Sequence, residues 1–129
     1  MKPALILLAL TLLSVAQEKP AIPPFTNGMC NGRHWQVFMD KGNYLVGFLD
    51  GLRAARSPSR PYIPEPLSMV ELVKAVDRFY QEPENLAIPV PEALRIVALK
   101  ANGAPQSEID SVSAAARRKA LQAAKQPGE

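Results

Sequence analysis

Cys30 and His34 are the only cysteine and the only histidine of the chain. A thiolate beside an imidazole is the core of cysteine-nucleophile catalysis, and a spacing of four on one helix would bring the two side chains together. Gly32 lies between them, however, and no third orienting residue is evident. Catalytic pairs of this kind usually come from distant segments. The ordinary reading of the thiol is a small buried hydrophobe. Glu82 and Glu84 flank Pro83, with Asn85 following. Paired carboxylates can act as acid and base, but on a turn between helices their usual work is to cap backbone amides. Asp50, with no base or metal ligand near it in the sequence, reads as bonded to a loop amide or an arginine. Arg53, Arg56 and Arg60 run from a helix end, where the dipole favours cations, into a proline-rich loop with Tyr62, a combination that also suits a protein interface. Trp35 reads as core, packed on Phe38 and Phe48. A single cysteine excludes an internal disulfide, and a single histidine excludes a multi-histidine metal site. No phosphate loop, dinucleotide fingerprint, CxxC pair or nucleophile elbow is present. The expectation is therefore no catalytic residue, no cofactor and no metal, with function moved toward binding.

The elements that must position these residues begin after an apparent export signal. Met1–Lys2–Pro3 is a short positive start, and residues 4–15 carry no charge. Ser14-Val15-Ala16 then supplies small residues at a cleavage point. An ordinary membrane span needs ~20 apolar residues, so residues 1–16 are expected to be a cleaved signal peptide. Cys30 lies too far beyond the apolar run to be a lipid-bearing cysteine there. A soluble periplasmic or secreted bacterial protein with no lasting membrane anchor is the expectation. The net charge is only +3 over 129 residues, and an exported protein rarely meets nucleic acid, so a nucleic-acid partner is not expected.

Hydrophobic residues make up 47% and aromatics 6%, which predicts one small aliphatic core rather than disorder. Thirteen prolines divide the chain into short elements. Residues 17–33 read as an extended arm and loop: Asn27-Gly28 and Asn31-Gly32 are turn dipeptides with no alternating strand between them. Residues 34–103 read as a helical core domain. A short helix runs from Asn31 as cap into 34–39. Over 44–56, Tyr44, Leu45, Phe48, Leu49 and Leu52 form a helical stripe. Gly47 and Gly51 lie four apart, each costing ~1 kcal/mol of helix propensity, which predicts close approach of another backbone. Ser68 and Glu71 form a capping box ahead of an apolar face at Met69, Leu72, Val73, Val76, Phe79 and Tyr80. Pro91 opens the next helix and Asn102-Gly103 closes it. Residues 104–129 read as a C-terminal helix and tail, capped by Ser107, with little to bury and a frayed end. No strand is expected. The fold class is all-α, an orthogonal bundle of four to five short helices with proline-rich loops.

The run Tyr44-Leu45-Val46-Gly47-Phe48-Leu49-Asp50-Gly51-Leu52, followed by the 72–80 helix, the Pro83-Glu84 turn and the 93–101 helix, resembles the Rap/Tai immunity-protein family. The pattern of that family has a glycine- and aspartate-bearing helix, a proline-marked loop, a second helix ending in tyrosine before a Pro-Glu turn, and an alanine-leucine helix. The match covers about half the chain, from about Gly42 to Gly103. Such domains commonly carry cysteine pairs, where this chain has Cys30 alone. The resemblance implies a small exported helical protein that binds and inhibits a peptidoglycan amidase. The candidate contact residues are then Arg53, Arg56, Arg60 and Tyr62 of the loop, with Glu82, Glu84 and Asn85 of the turn. Two other readings are a structural or accessory envelope protein that self-associates through its last helix, and a cysteine-dependent enzyme using Cys30 and His34.

Overall fold

Local capping chemistry decides where each helix starts and stops. The computed structural model describes residues 21–38, 40–55 and 67–126; the expected signal peptide, Arg56, Arg60 and Tyr62 lie outside them. Five α-helices and one small hairpin are present among the described residues: β1 Phe25–Thr26, β2 Met29–Cys30, α1 Gly32–Val37, α2 Lys41–Ala54, α3 Met69–Phe79, α4 Val90–Ala101 and α5 Gln106–Lys125. The protein is a small all-α bundle, and none of these helices is long and apolar enough to cross a membrane.

The amide oxygen of Asn31 accepts from the backbone N–H groups of Arg33 (3.0 Å) and His34 (3.4 Å), which caps α1. Asp40 accepts from the amide of Asn43 at 3.1 Å and so serves the start of α2 in the same way. Ser68 and Glu71 complete the capping box of α3 in both directions. Pro91 sits in the first turn of α4, where its missing N–H costs nothing. At the far end of α4, Gly103 takes φ +73°, and the amides of Ala104 and Gly103 reach back to the carbonyls of Leu99 (3.0 Å) and Lys100 (3.2 Å). That pair of bonds is a Schellman closure.

Two features depart from the sequence reading. Residues 25–30 form a hairpin, with Phe25 opposite Cys30 and Thr26 opposite Met29. Asn27 and Gly28 both have positive φ (51° and 72°), the turn that matches strand twist; strands of two residues are too short to show alternation. Helix α5 begins at Gln106 after Pro105, with no side-chain cap, so Ser107 does not play the role expected of it.

The core falls into two clusters. The first joins Trp35 of α1, Leu45 and Leu49 of α2, Leu72, Val76 and Tyr80 of α3 and its end, and Val90, Leu94 and Val97 of α4. The ring pairs of Trp35 are Tyr44 (ring centroids 6.3 Å) and Tyr80 (6.5 Å), while Phe48 packs against the same core cluster and Phe38 lines the same side with its ring edge-on to Tyr44. The second cluster is smaller in side chain: Ala87, Ile88, Ile96, Ile109, Ala116 and Ala120. Ile109, Ala116 and Ala120 are buried and Val112 is half-buried, a thin apolar stripe on an otherwise largely exposed α5, and the alanines let it lie close against α4 and the connector before it.

That connector, residues 82–89, organises the molecule. A 3-10 turn at Pro83–Asn85 leads into backbone that the hairpin, α1 and the end of α3 all bond. Gly32 donates to the carbonyl of Leu86 at 2.9 Å. Thr26 Oγ1 donates to Ala87 at 2.7 Å, and the Tyr80 hydroxyl to Ile88 at 2.9 Å. Asn31 is fully buried and pairs with Pro89 as an isolated bridge. Its Nδ2 donates to Pro23 (2.7 Å) and Thr26 (3.0 Å). Among the described residues no buried side-chain polar atom lacks a partner. Buried polar groups left unpaired cost about 1–3 kcal/mol each, so this connector is fixed by satisfaction as well as by packing.

Candidate functional site

Cys30, on β2, and His34, on α1, are both half-buried. They share a closely packed cluster with Trp35, Phe38, Tyr44 and Val90 that encloses no cavity. The His34 ring has Phe25 (5.1 Å) and Phe38 (5.3 Å) as tilted aromatic neighbours. Burial pushes the Tyr44 hydroxyl above its usual range, and the nearby Cys30 adds to this. Burial pushes Tyr80 further still, with Tyr44 and Cys30 contributing. Both phenols are thus held neutral, and Tyr80 stays a donor to Ile88. The surroundings of the thiol are those of a packed core.

The Pro83 turn separates its three candidate residues. Glu82 and Glu84 are exposed; Glu84 bridges to Arg117 of α5 at 3.1 Å, with 74% of its side chain in solvent. Asn85 is buried at 3%. Its Nδ2 donates to the carbonyl of Phe79 at 2.7 Å, and its Oδ1 accepts from Arg117 Nε at 2.8 Å. The amide that the sequence offered as a contact residue is spent inside the fold, tying the end of α3 to α5, because the 3-10 turn aims it inward. Arg53 belongs to α2. Asp50 is exposed on the same helix and is engaged in an interaction.

Gly47 and Gly51 are also placed otherwise than expected. Both are exposed, and a methyl group added at either would meet no described atom within 4 Å. The close approach is at Gly32, where a Cβ would run into the Tyr80 ring and lie 2.9 Å from Leu86 Cα.

Sequence reasoning missed one polar cluster. Trp35 Nε1 and Lys41 Nζ both donate to Asp77 Oδ1, at 2.8 and 2.7 Å, and Lys41 lies 5.4 Å from the centroid of the Trp35 ring. It binds α1, α2 and α3 together. Only the charge of Asp77 on a helix flank was visible, and its partners lie 36 and 42 residues away. Among the described residues no group of three or more histidine, cysteine, aspartate or glutamate side chains converges on a point.

Among the described residues, two surface grooves are large enough to take a ligand. One, of 480 Å³, lies between the hairpin, the start of α4 and α5; Met29, Arg95, Ala116 and Lys119 are among its walls. Its Arg95 is already paired with Glu92 at 2.9 Å. The other, of 470 Å³, lies between α3 and α4. Its floor includes Ala75, Phe79 and Val97, and its rim carries Lys74, Arg78 and Lys100. Comparison with protein-family models, curated proteins and solved structures finds no match to this chain. The class defined by the fold is the small all-α bundle.

Proposed function

We propose that this chain is a non-enzymatic binding protein, exported to the bacterial envelope, that docks on a protein partner there, and that the partner is a cell-wall hydrolase of the peptidoglycan amidase kind. The reading rests on the order of the immunity-like pattern: α2, α3 ending at Tyr80, the Pro83-Glu84 turn and α4 follow one another as that pattern requires. The apolar N-terminal run before residue 16 supports export. Contact residues under this reading are Arg53, Arg56, Arg60 and Tyr62, with the exposed Glu82 and Glu84 of the turn. Asn85, buried, is left out.

The test is affinity purification of the chain, tagged after Glu129, from its native envelope, with mass spectrometry of the co-eluting proteins and N-terminal sequencing of the recovered chain. A stoichiometric peptidoglycan hydrolase and a chain beginning at Gln17 are expected. Arg56→Glu with Arg60→Glu should then weaken the complex without lowering the melting temperature. A recovered chain still beginning at Met1, or no hydrolase in the eluate, contradicts the proposal.

Self-association has one observation in its favour: Leu121, on α5, is 56% exposed. If α5 joins two copies, Leu121→Glu converts a dimer to a monomer in sedimentation. A wild-type monomer removes that reading.

A further inference from the structure

The groove between α3 and α4 has an unusual division of charge. Its floor includes Phe79, Ala75 and Val97, all at least half-buried. Lys74 and Arg78, one turn apart on α3, and Lys100, near the end of α4, are exposed along its rim. None of the three is ion-paired among the described residues. The one acid of the groove is Glu71. Its Oε2 accepts from both Ser68 N (2.8 Å) and Ser68 Oγ (2.7 Å), and these bonds, with a smaller attraction to Lys74, hold its carboxyl below the usual range. Glu71 is hydrogen-bonded into the cap of α3 and attracts Lys74 more weakly, so the described lining sets three cations against one acid around an apolar trough.

Cations on a rim contribute complementarity and association rate, while an apolar floor contributes affinity. The other groove carries this division more weakly, since its Arg95 is paired with Glu92 and Lys119 is its one remaining lining cation. We infer that the α3–α4 groove receives an acidic amphipathic segment of a partner protein, placing two or three apolar side chains on Phe79 and Val97 and its carboxylates on Lys74, Arg78 and Lys100. This is helix-in-groove recognition. The inference rests on the partner-binding reading above but not on the partner being a hydrolase, and its test reads the groove alone. Failure here leaves the hydrolase question standing, and failure there leaves the groove standing.

The probe is a synthetic peptide about fifteen residues long, enough for a helix to form on binding, with leucines at helical spacing and glutamates elsewhere. It is titrated into the full chain by calorimetry and followed by amide chemical shifts. Three controls accompany it: the same composition with the stripe scrambled, the striped peptide with glutamine for glutamate, and laurate. The striped acidic peptide should bind, shift resonances of α3 and α4 around the groove, and weaken as salt is raised. Lys74→Glu with Lys100→Glu should weaken it by about tenfold or more at unchanged melting temperature. The milder pair Lys74→Gln with Lys100→Gln should give a smaller loss and serves if the reversal perturbs the fold. The inference is overturned if the acidic peptide does not bind, if the scrambled or glutamine peptide binds equally well, or if shifts centre on Met29 and Lys119. It is also overturned if laurate binds where the peptide does not, which marks a site for anionic amphiphiles, or if both charge variants keep full affinity.

Discussion

Gly32 and the pair Gly47 and Gly51 are the same residue type under opposite constraints. At Gly32 the start of α1 lies against the connector so closely that a methyl group would strike the Tyr80 ring and Leu86 backbone. On the outer side of α2, Gly47 and Gly51 have open space among the described residues. The regularly spaced pair resembles a helix-packing motif, and the isolated glycine does the packing. Spacing reports only that two residues share a face. Whether anything presses on that face is decided by segments far away in sequence, here the 82–89 connector fifty residues on.

The largest expected effect is at Gly32. Gly32→Ala forces the connector and Tyr80 apart, and urea unfolding should show a loss of about 3 kcal/mol, at the upper end of overpacking costs. A loss below about 1 kcal/mol would mean that this junction yields easily, and the contrast would fail. Next come the buried amides. Asn85→Ala strands the Phe79 carbonyl and Arg117 Nε, and Asn31→Ala strands the Pro23 carbonyl and the amides of Arg33 and His34. Each should lose about 1–3 kcal/mol in the same assay. Tyr80→Phe removes one donor from Ile88 and should cost about 1–2 kcal/mol.

The remaining predictions have the opposite sign or are smaller. Gly47→Ala and Gly51→Ala should each raise stability, by up to about 1 kcal/mol, through helix propensity alone. A lowered melting temperature would show that something does press on that face. The smallest effect is the pH response of the α3 cap. The folded-state pKa of Glu71 lies below its ordinary value because Ser68 bonds the carboxylate. Its contribution is therefore complete above the unfolded pKa of about 4.3 and is lost as pH falls through the lower folded value. Glu71→Gln should flatten the acid limb of stability between those two values while leaving it unchanged near neutrality relative to the variant's own plateau. Tyr80 runs the other way. Its pKa is raised by burial, so its contribution is complete below about 10 and is lost as pH rises toward the folded value. Tyr80→Phe should remove that part of the alkaline loss.

What was legible in the sequence was local. Ser68 with Glu71, Pro91 in a first turn, Asn102-Gly103 at a helix end and Asn31 as a cap all act within four residues of themselves. The structure has α1, α3 and α4 where those signals put them. The hairpin was not legible, because two-residue strands carry no alternation, and its Asn27-Gly28 turn is the whole of the signal. The cap of α5 was misread because Ser107 looks suited to the role, yet the helix starts directly after Pro105. The buried network was invisible for a different reason: Thr26 and Ala87 are 61 residues apart, and no spacing rule connects them. Of the candidate contact residues, exposure could be judged only for the turn. Glu82 and Glu84 face solvent as a contact role needs, whereas Asn85 was drawn inward by a turn geometry that composition does not reveal.

The account turns on the connector as the shared support of hairpin, α1, α3 and α5. Native-state hydrogen exchange measures this most directly, since each amide reports the opening of the unit that holds it. The Gly32 amide on Leu86 and the Ile88 amide on Asn85, 2.9 Å each, should exchange in the same slow class as the interior amides of α4. If Gly32 and the rest of α1 exchange orders of magnitude faster than α4, the hairpin and α1 open as a separate unit, and the connector is not the organising element.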